Sequence, residues 1–199
     1  MKRILLILIV FITGCSYTDL KDLTIIKSIG IEYSDNYIIY AQIYDEIKKE
    51  NHLKTKLIES KGKTINEAFD NLKEIINKDI LLSHIDILVL SSNLNSSNYS
   101  EIIDYFLNNN EIRNDFLTIS SDTLNTILDN SKYNDIENFI KNNNSHYIIN
   151  ISFEELINNF LENNSFIITK INYNNHFEYN NLYFNNDNLE RIDNEKNRT

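Results

Sequence analysis

The sequence predicts an α+β domain, a mixed β-sheet packed by helices. Three observations predict it. Short runs rich in Ile and Tyr, divided by Asp-Asn and Asn-Asn pairs, have the composition and punctuation of strands and tight turns. At Gly62-Lys63-Thr64 the apolar spacing changes from alternation to a helical period, and it does so again further along. Hydrophobic residues make up 42% of the 199, enough for a packed core.

The chain opens with Lys2-Arg3, an unbroken apolar run from Ile4 to Ile12, and then Thr13-Gly14-Cys15. A spanning helix needs about 20 apolar residues. This run is far shorter, and Ser16, Asp19, Lys21 and Asp22 follow at once. The pattern is that of a signal peptide ending in a bacterial lipobox, Ile12-Thr13-Gly14-Cys15. Residues 1–14 are expected to be the lipoprotein signal peptide, with Cys15 carrying a diacylglyceryl lipid on its thiol and becoming the mature N-terminus. Each buried methylene contributes roughly 0.8 kcal/mol, so paired acyl chains hold a protein stably on the outer face of the cytoplasmic membrane.

Residues 15–22 form a short polar tether, 23–184 the folded domain and 185–199 a polar, frayed tail. Leu23 to Tyr33, Tyr37 to Tyr44 and Leu53 to Ser60 read as an antiparallel meander, with Asp35-Asn36 as a tight turn and the third segment half-buried or at an edge. Thr64 and Glu67 form a capping box for a helix from Ile65 to Asn77, with Ile65, Ala68, Phe69, Leu72, Ile75 and Ile76 at helical spacing. Ile80 to Ser91 is so apolar that it reads as a central strand covered on both faces. Asn98 with Glu101 is expected to cap the next helix, whose inner face is Ile102, Ile103, Phe106 and Leu107.

Phe116 to Ser120 is a short strand, Asp122 caps a brief helix through Leu128, and Asp135 to Lys141 is a further helical segment. Ser152 and Glu155 make another capping box, with Ile151 and Leu156 placed for a hydrophobic staple and Leu156, Ile157, Phe160 and Leu161 as the stripe. Ser165 to Tyr173 and His176 to Phe184 form a hairpin around Asn174-Asn175.

Composition excludes several functions. Formal net charge is −10, and removing Lys2 and Arg3 takes the mature chain to −10 − 2 = −12. An acidic exterior repels nucleic acid and anionic headgroups. Cys15 is the single cysteine, so the lipidated form has no disulfide and no thiol ligand for a metal. Three glycines leave no room for a phosphate-binding loop.

Five stretches in a fixed order resemble the N-terminal domain of the C subunit of spore germinant receptors, the Ger(x)C type of lipoprotein. They are Gly14-Cys15 with Asp19-Leu20; Leu23-Thr24-Ile25-Ile26 with Ile29-Gly30-Ile31-Glu32; Gly62-Lys63-Thr64-Ile65-Asn66-Glu67-Ala68; Ser83-His84 leading into Ile85 to Leu90; and Glu111-Ile112-Arg113 before Phe116 to Ser120. Glu32 stands where the family has Asp, and Ser16-Tyr17 where it often has Trp. The resemblance covers the first domain of a longer family pattern. It implies integral-membrane A and B subunits as partners, a role in nutrient-triggered germination, and the spore inner membrane as location if the organism sporulates.

The candidate site residues are few. His52, His84, His146 and His176 have no ligand-type neighbour three or four positions on, so no metal is expected. His84 reads as a structural residue at a strand entry, with partner contact as the alternative. Arg113 reads as a local partner of Glu111, with docking as the alternative. No nucleophile elbow or tuned carboxylate pair is visible, so no catalytic residue and no cofactor beyond the Cys15 lipid are expected. The leading expectation is a non-catalytic, membrane-tethered receptor subunit. The alternative is a stand-alone extracytoplasmic lipoprotein that binds a small solute.

Overall fold

The computed structural model describes residues 23–44, 55–129, 136, 138–140, 148–185 and 188–191. The lipobox, the tether, His52 and His146 lie outside these. Among the described residues ten strands form one sheet. They are β1 (Leu23–Tyr33), β2 (Tyr37–Tyr44), β3 (Thr55–Gly62), β4 (Asp79–Leu81), β5 (Ile87–Ser91), β6 (Leu117–Ser121), β7 (Ile151–Ser152), β8 (Ser165–Asn174), β9 (His176–Asn185) and β10 (Asn188–Arg191). The helices are α1 (Ile65–Ile76), α2 (Ser96–Asn108), α3 (Leu124–Leu128) and α4 (Phe153–Asn163); residues 138–140 are also helical.

The main path through the sheet is β10-β9-β8-β6-β5-β1-β2-β3, with β4 beside β1 and β7 beside β6. The expected meander is present, β1 with β2 and β2 with β3 antiparallel, and β3 is an edge. β1, β5 and β6 are parallel, which requires a helix to carry the chain back between β5 and β6, and α2 does so. β8 joins β6 in parallel at Ser120 and Lys170. The hairpin β8–β9 turns at Asn175, whose φ of 63° is the left-handed conformation Asn tolerates.

Alternation along β5 divides the core. Leu88 and Leu90 join the larger cluster with α1, α2 and α4, whereas Ile87 and Val89 join a smaller one with α3, Ile136 and Ile140. Helices therefore cover both faces of the sheet, and all five residues of β5 are buried as the apolar run predicts. Tyr99 and Phe106 on α2 anchor the larger cluster. Tyr99 meets Phe160, Phe166 and Phe184, and Phe106 meets Phe69, Phe116 and Phe153.

Several expectations need correction. The run Ile80 to Ser91 is two strands, β4 and β5, separated by the Leu82–Asp86 turn. α2 is capped three residues early: Asn95 accepts from the Asn98 N–H and Asn98 returns the bond to Asn95, because buried Leu94 fixes the chain's entry. Leu107, Ile75 and Leu161 are not on inner faces; they are 47%, 56% and 63% exposed. In each helix the stripe is complete at i, i+3, i+4 and i+7 without them. Asp122 does not cap α3; its carboxylate is engaged elsewhere. The box at Thr64 is half as expected: Thr64 accepts the Glu67 N–H at 3.2 Å, but the Glu67 carboxylate takes the Lys63 N–H at 2.7 Å. The expected frayed tail contains β10, paired along β9 from Asn188 to Arg191.

Two glycines mark close approaches. A Cβ at Gly62 would lie 2.3 Å from the Ala68 backbone nitrogen in α1. A Cβ at Gly30 would lie 2.6 Å from a Leu128 side-chain methyl. At the same contact Gln42, fully buried, accepts from Ser28 Oγ at 2.9 Å and donates to the Leu128 carbonyl at 3.2 Å, which fixes α3 to the meander.

Candidate functional site

His84 and Arg113, separated by 29 positions, line one groove of about 260 Å3 with Ser83, Asp86, Asp115 and Leu117. Parallel pairing of β5 and β6 is the reason. His84 lies in the turn entering β5 and Arg113 in the turn entering β6, and Ile87 stands beside Leu117 in the ladder. Both turns are pinned from beneath: Ile85, Ile112 and Phe116 are buried. The Asp86 N–H donates to the Lys27 carbonyl at 2.8 Å, and the Leu117 N–H donates to the Asp86 carbonyl at 3.1 Å. The Glu154 N–H donates to the Asn114 carbonyl at 2.8 Å, holding the second turn to α4.

The groove is lined mostly by polar groups and carries both charge signs. The Arg113 guanidinium pairs with Asp115, not with Glu111 as expected; both partners are exposed. Lys27 Nζ lies 4.0 Å from the Asp86 carboxylate and reaches over the Tyr44 ring. His84 is exposed, and no hydrogen bond of its ring is found among the described residues. The fourth histidine, His176, lies far from this groove at the β8–β9 turn, 3.2 Å from Glu178. Among the described residues no three His, Cys, Asp or Glu side chains are grouped to hold a metal ion.

Two polar features escaped the sequence reading. Asp122 accepts from Ser92 and, at 3.1 Å, from the Asn172 amide, and pairs with Lys170. Burial raises its carboxyl, but Lys170, Ser92 and Asn172 together outweigh this and hold it below the ordinary value. The cluster ties the ends of β5, β6 and β8 together. The second feature is a groove of about 710 Å3 between α1 and α2, bordered by Asp70, Glu101, Asp104 and Glu111 with Lys73. Tyr105 forms part of its wall, stacked on Phe69 at 4.1 Å, and burial pushes its phenol up to about 12.

The family model for the spore germination protein N-terminal domain matches residues 16–173. The chain belongs to this family. The spore germination match begins one residue after Cys15 and ends within β8, so it includes both turns of the His84–Arg113 groove. The curated proteins and the solved structures gave no match. Among the described residues of this spore germination domain, no helix is long and apolar enough to cross a membrane.

Proposed function

We propose that this protein is a non-catalytic subunit of a spore germinant-receptor-like complex, anchored by a diacylglyceryl lipid on Cys15 to the outer face of the cytoplasmic or spore inner membrane. The observation that carries the reading is the junction at residue 15. The lipobox ends at Cys15 and the germination domain match starts at residue 16. A domain of this family delivered to the membrane surface is placed to meet integral-membrane A and B subunits, and His84 and Arg113 are the candidate contacts. The test is a gentle pull-down of the tagged protein from membranes beside Cys15→Ala. Polytopic proteins of the receptor kind should co-purify with the wild type and be lost or weakened with the variant. Recovery of the wild type alone, together with normal germination of a deletion strain on every nutrient tried, would sink the proposal.

The α1–α2 groove gives a second reading its site, capture of a small cationic solute by a free-standing lipoprotein. That reading requires a ligand-dependent rise in Tm without any membrane partner.

A further inference from the structure

We infer that the end of the sheet where β1 begins is the docking face for the extracytoplasmic surface of an integral-membrane protein; this rests on the anchoring proposed above. Topology defines the two ends. The chain enters at Leu23, and Leu23 pairs with Asp79 of β4. The turns carrying His84 and Arg113 precede β5 and β6, which run parallel to β1, so they lie toward the same end. α1 descends to that end, since it follows Gly62, the partner of Tyr37, and precedes Asp79. α2 descends likewise from Ser91 to the turn before Leu117. The β8–β9 turn lies at the other end, because Asn172 bonds Asp122 just past β6.

Three of the exposed large apolar side chains lie at the entry end. Ile25, paired with Leu81 of β4, is 37% exposed; Ile75 and Leu107, at the lower ends of α1 and α2, are 56% and 47% exposed. The polar groove lies at the same end. Apolar side chains beside polar groups are the mixture found at protein interfaces. A lipid surface fits less well: the mature chain carries −10 − 2 = −12, which anionic headgroups repel, and a polar groove needs hydrogen bonds in return when it loses water. A peptide loop supplies them.

Reach agrees. Eight residue steps from Cys15 to Leu23 span at most about 28 Å. β1 itself rises about 33 Å from Leu23 to Tyr33. The entry end is thus the end nearest the anchor, and the β8–β9 turn is the farthest.

The single cysteine makes the test clean, since Cys15 is consumed by lipid. Ile75→Cys, His84→Cys and, as the far-end control, Glu178→Cys are each made in the full lipoprotein and labelled in native membranes with a thiol-reactive benzophenone. Retention of all three in the membrane fraction, with release of Cys15→Ala, tests the anchoring by itself; release of the wild type would overturn that reading. With anchoring established, irradiation should give adducts with a polytopic protein from positions 75 and 84 at least fivefold above position 178. Equal or greater yield from 178, adducts with lipid alone, or no adduct from 75 and 84 would each overturn the docking face.

Discussion

Replacing Gly62 by Ala should be among the most damaging single-methyl changes in the protein. The added Cβ would lie 2.3 Å from the Ala68 nitrogen, 2.7 Å from the Glu67 carbonyl carbon and 2.8 Å from the Ala68 Cα. All three atoms are helix backbone, so no side chain can rotate away. Restoring ordinary contact of about 3.4 Å needs α1 to move by roughly 1 Å, in a layer packed at crystal-like density. That shift disturbs Ile65, Ala68, Phe69 and Leu72 in the core and stretches the 2.9 Å bond from Ser60 Oγ to the Ala68 carbonyl. Overpacking costs typically about 1–3 kcal/mol and a weakened buried hydrogen bond about 1 kcal/mol more. Reduced unfolded-state entropy returns about 0.7 kcal/mol.

The expected net loss is about 2 kcal/mol, a fall of roughly 1 M in the urea midpoint at an m-value of about 2 kcal/mol/M. Gly30→Ala is the internal control. Its closest clash, 2.6 Å, is with the end of the Leu128 side chain, which can turn aside. It should cost no more than about 1 kcal/mol. Gly62→Ala within about 0.5 kcal/mol of wild type, or less damaging than Gly30→Ala, would refute the reasoning.

Other outcomes follow from the same structure. The native Asp122 carboxyl titrates below its ordinary 3.8, so its contribution is present above that pH and is lost as pH falls through the native value; urea midpoints measured between pH 6 and pH 3 should fall more steeply for wild type than for Asp122→Asn, and parallel slopes would refute the pairing. Thr118 is fully buried with its hydroxyl unpartnered. Thr118→Val should therefore raise stability by about 1 kcal/mol, and a loss in the same titration would count against it. Asn164 ends α4 at φ 47°. Asn164→Gly should be neutral to a few tenths of a kcal/mol, whereas Asn164→Ala should cost about 1 kcal/mol, read as a difference in thermal midpoint.

Elements with a strong period or a decisive turn pair were legible in the sequence. The β8–β9 hairpin declared itself through Asn174-Asn175, and α1 through Thr64 and Glu67. β10 did not, because Asn188 to Arg191 holds one apolar residue, Leu189, and its strand exists through pairing with β9. The α2 cap slipped by three because Asn95 and Asn98 are the same residue type at capping distance. Ile75, Leu107 and Leu161 have helical spacing, and spacing does not say where a stripe meets solvent. Nor could spacing unite His84 with Arg113: their meeting depends on β5 lying parallel beside β6. The Asp122–Lys170 pair bridges 48 positions, beyond any local pattern.

The place of β1 in the sheet has a mechanical consequence. The first described strand is held by β2 on one side and by β5 on the other, and it also pairs with β4 from Leu23 to Ile25. A pull on the chain ahead of Leu23 runs along this strand, and its ladders resist in shear, many hydrogen bonds strained at once. An edge strand such as β10, paired on one side, would peel away one bond at a time. In the proposed lipoprotein, swelling or bending of the membrane would therefore tug at a strand gripped on both edges, and the force would arrive as movement of the whole body with its fold intact.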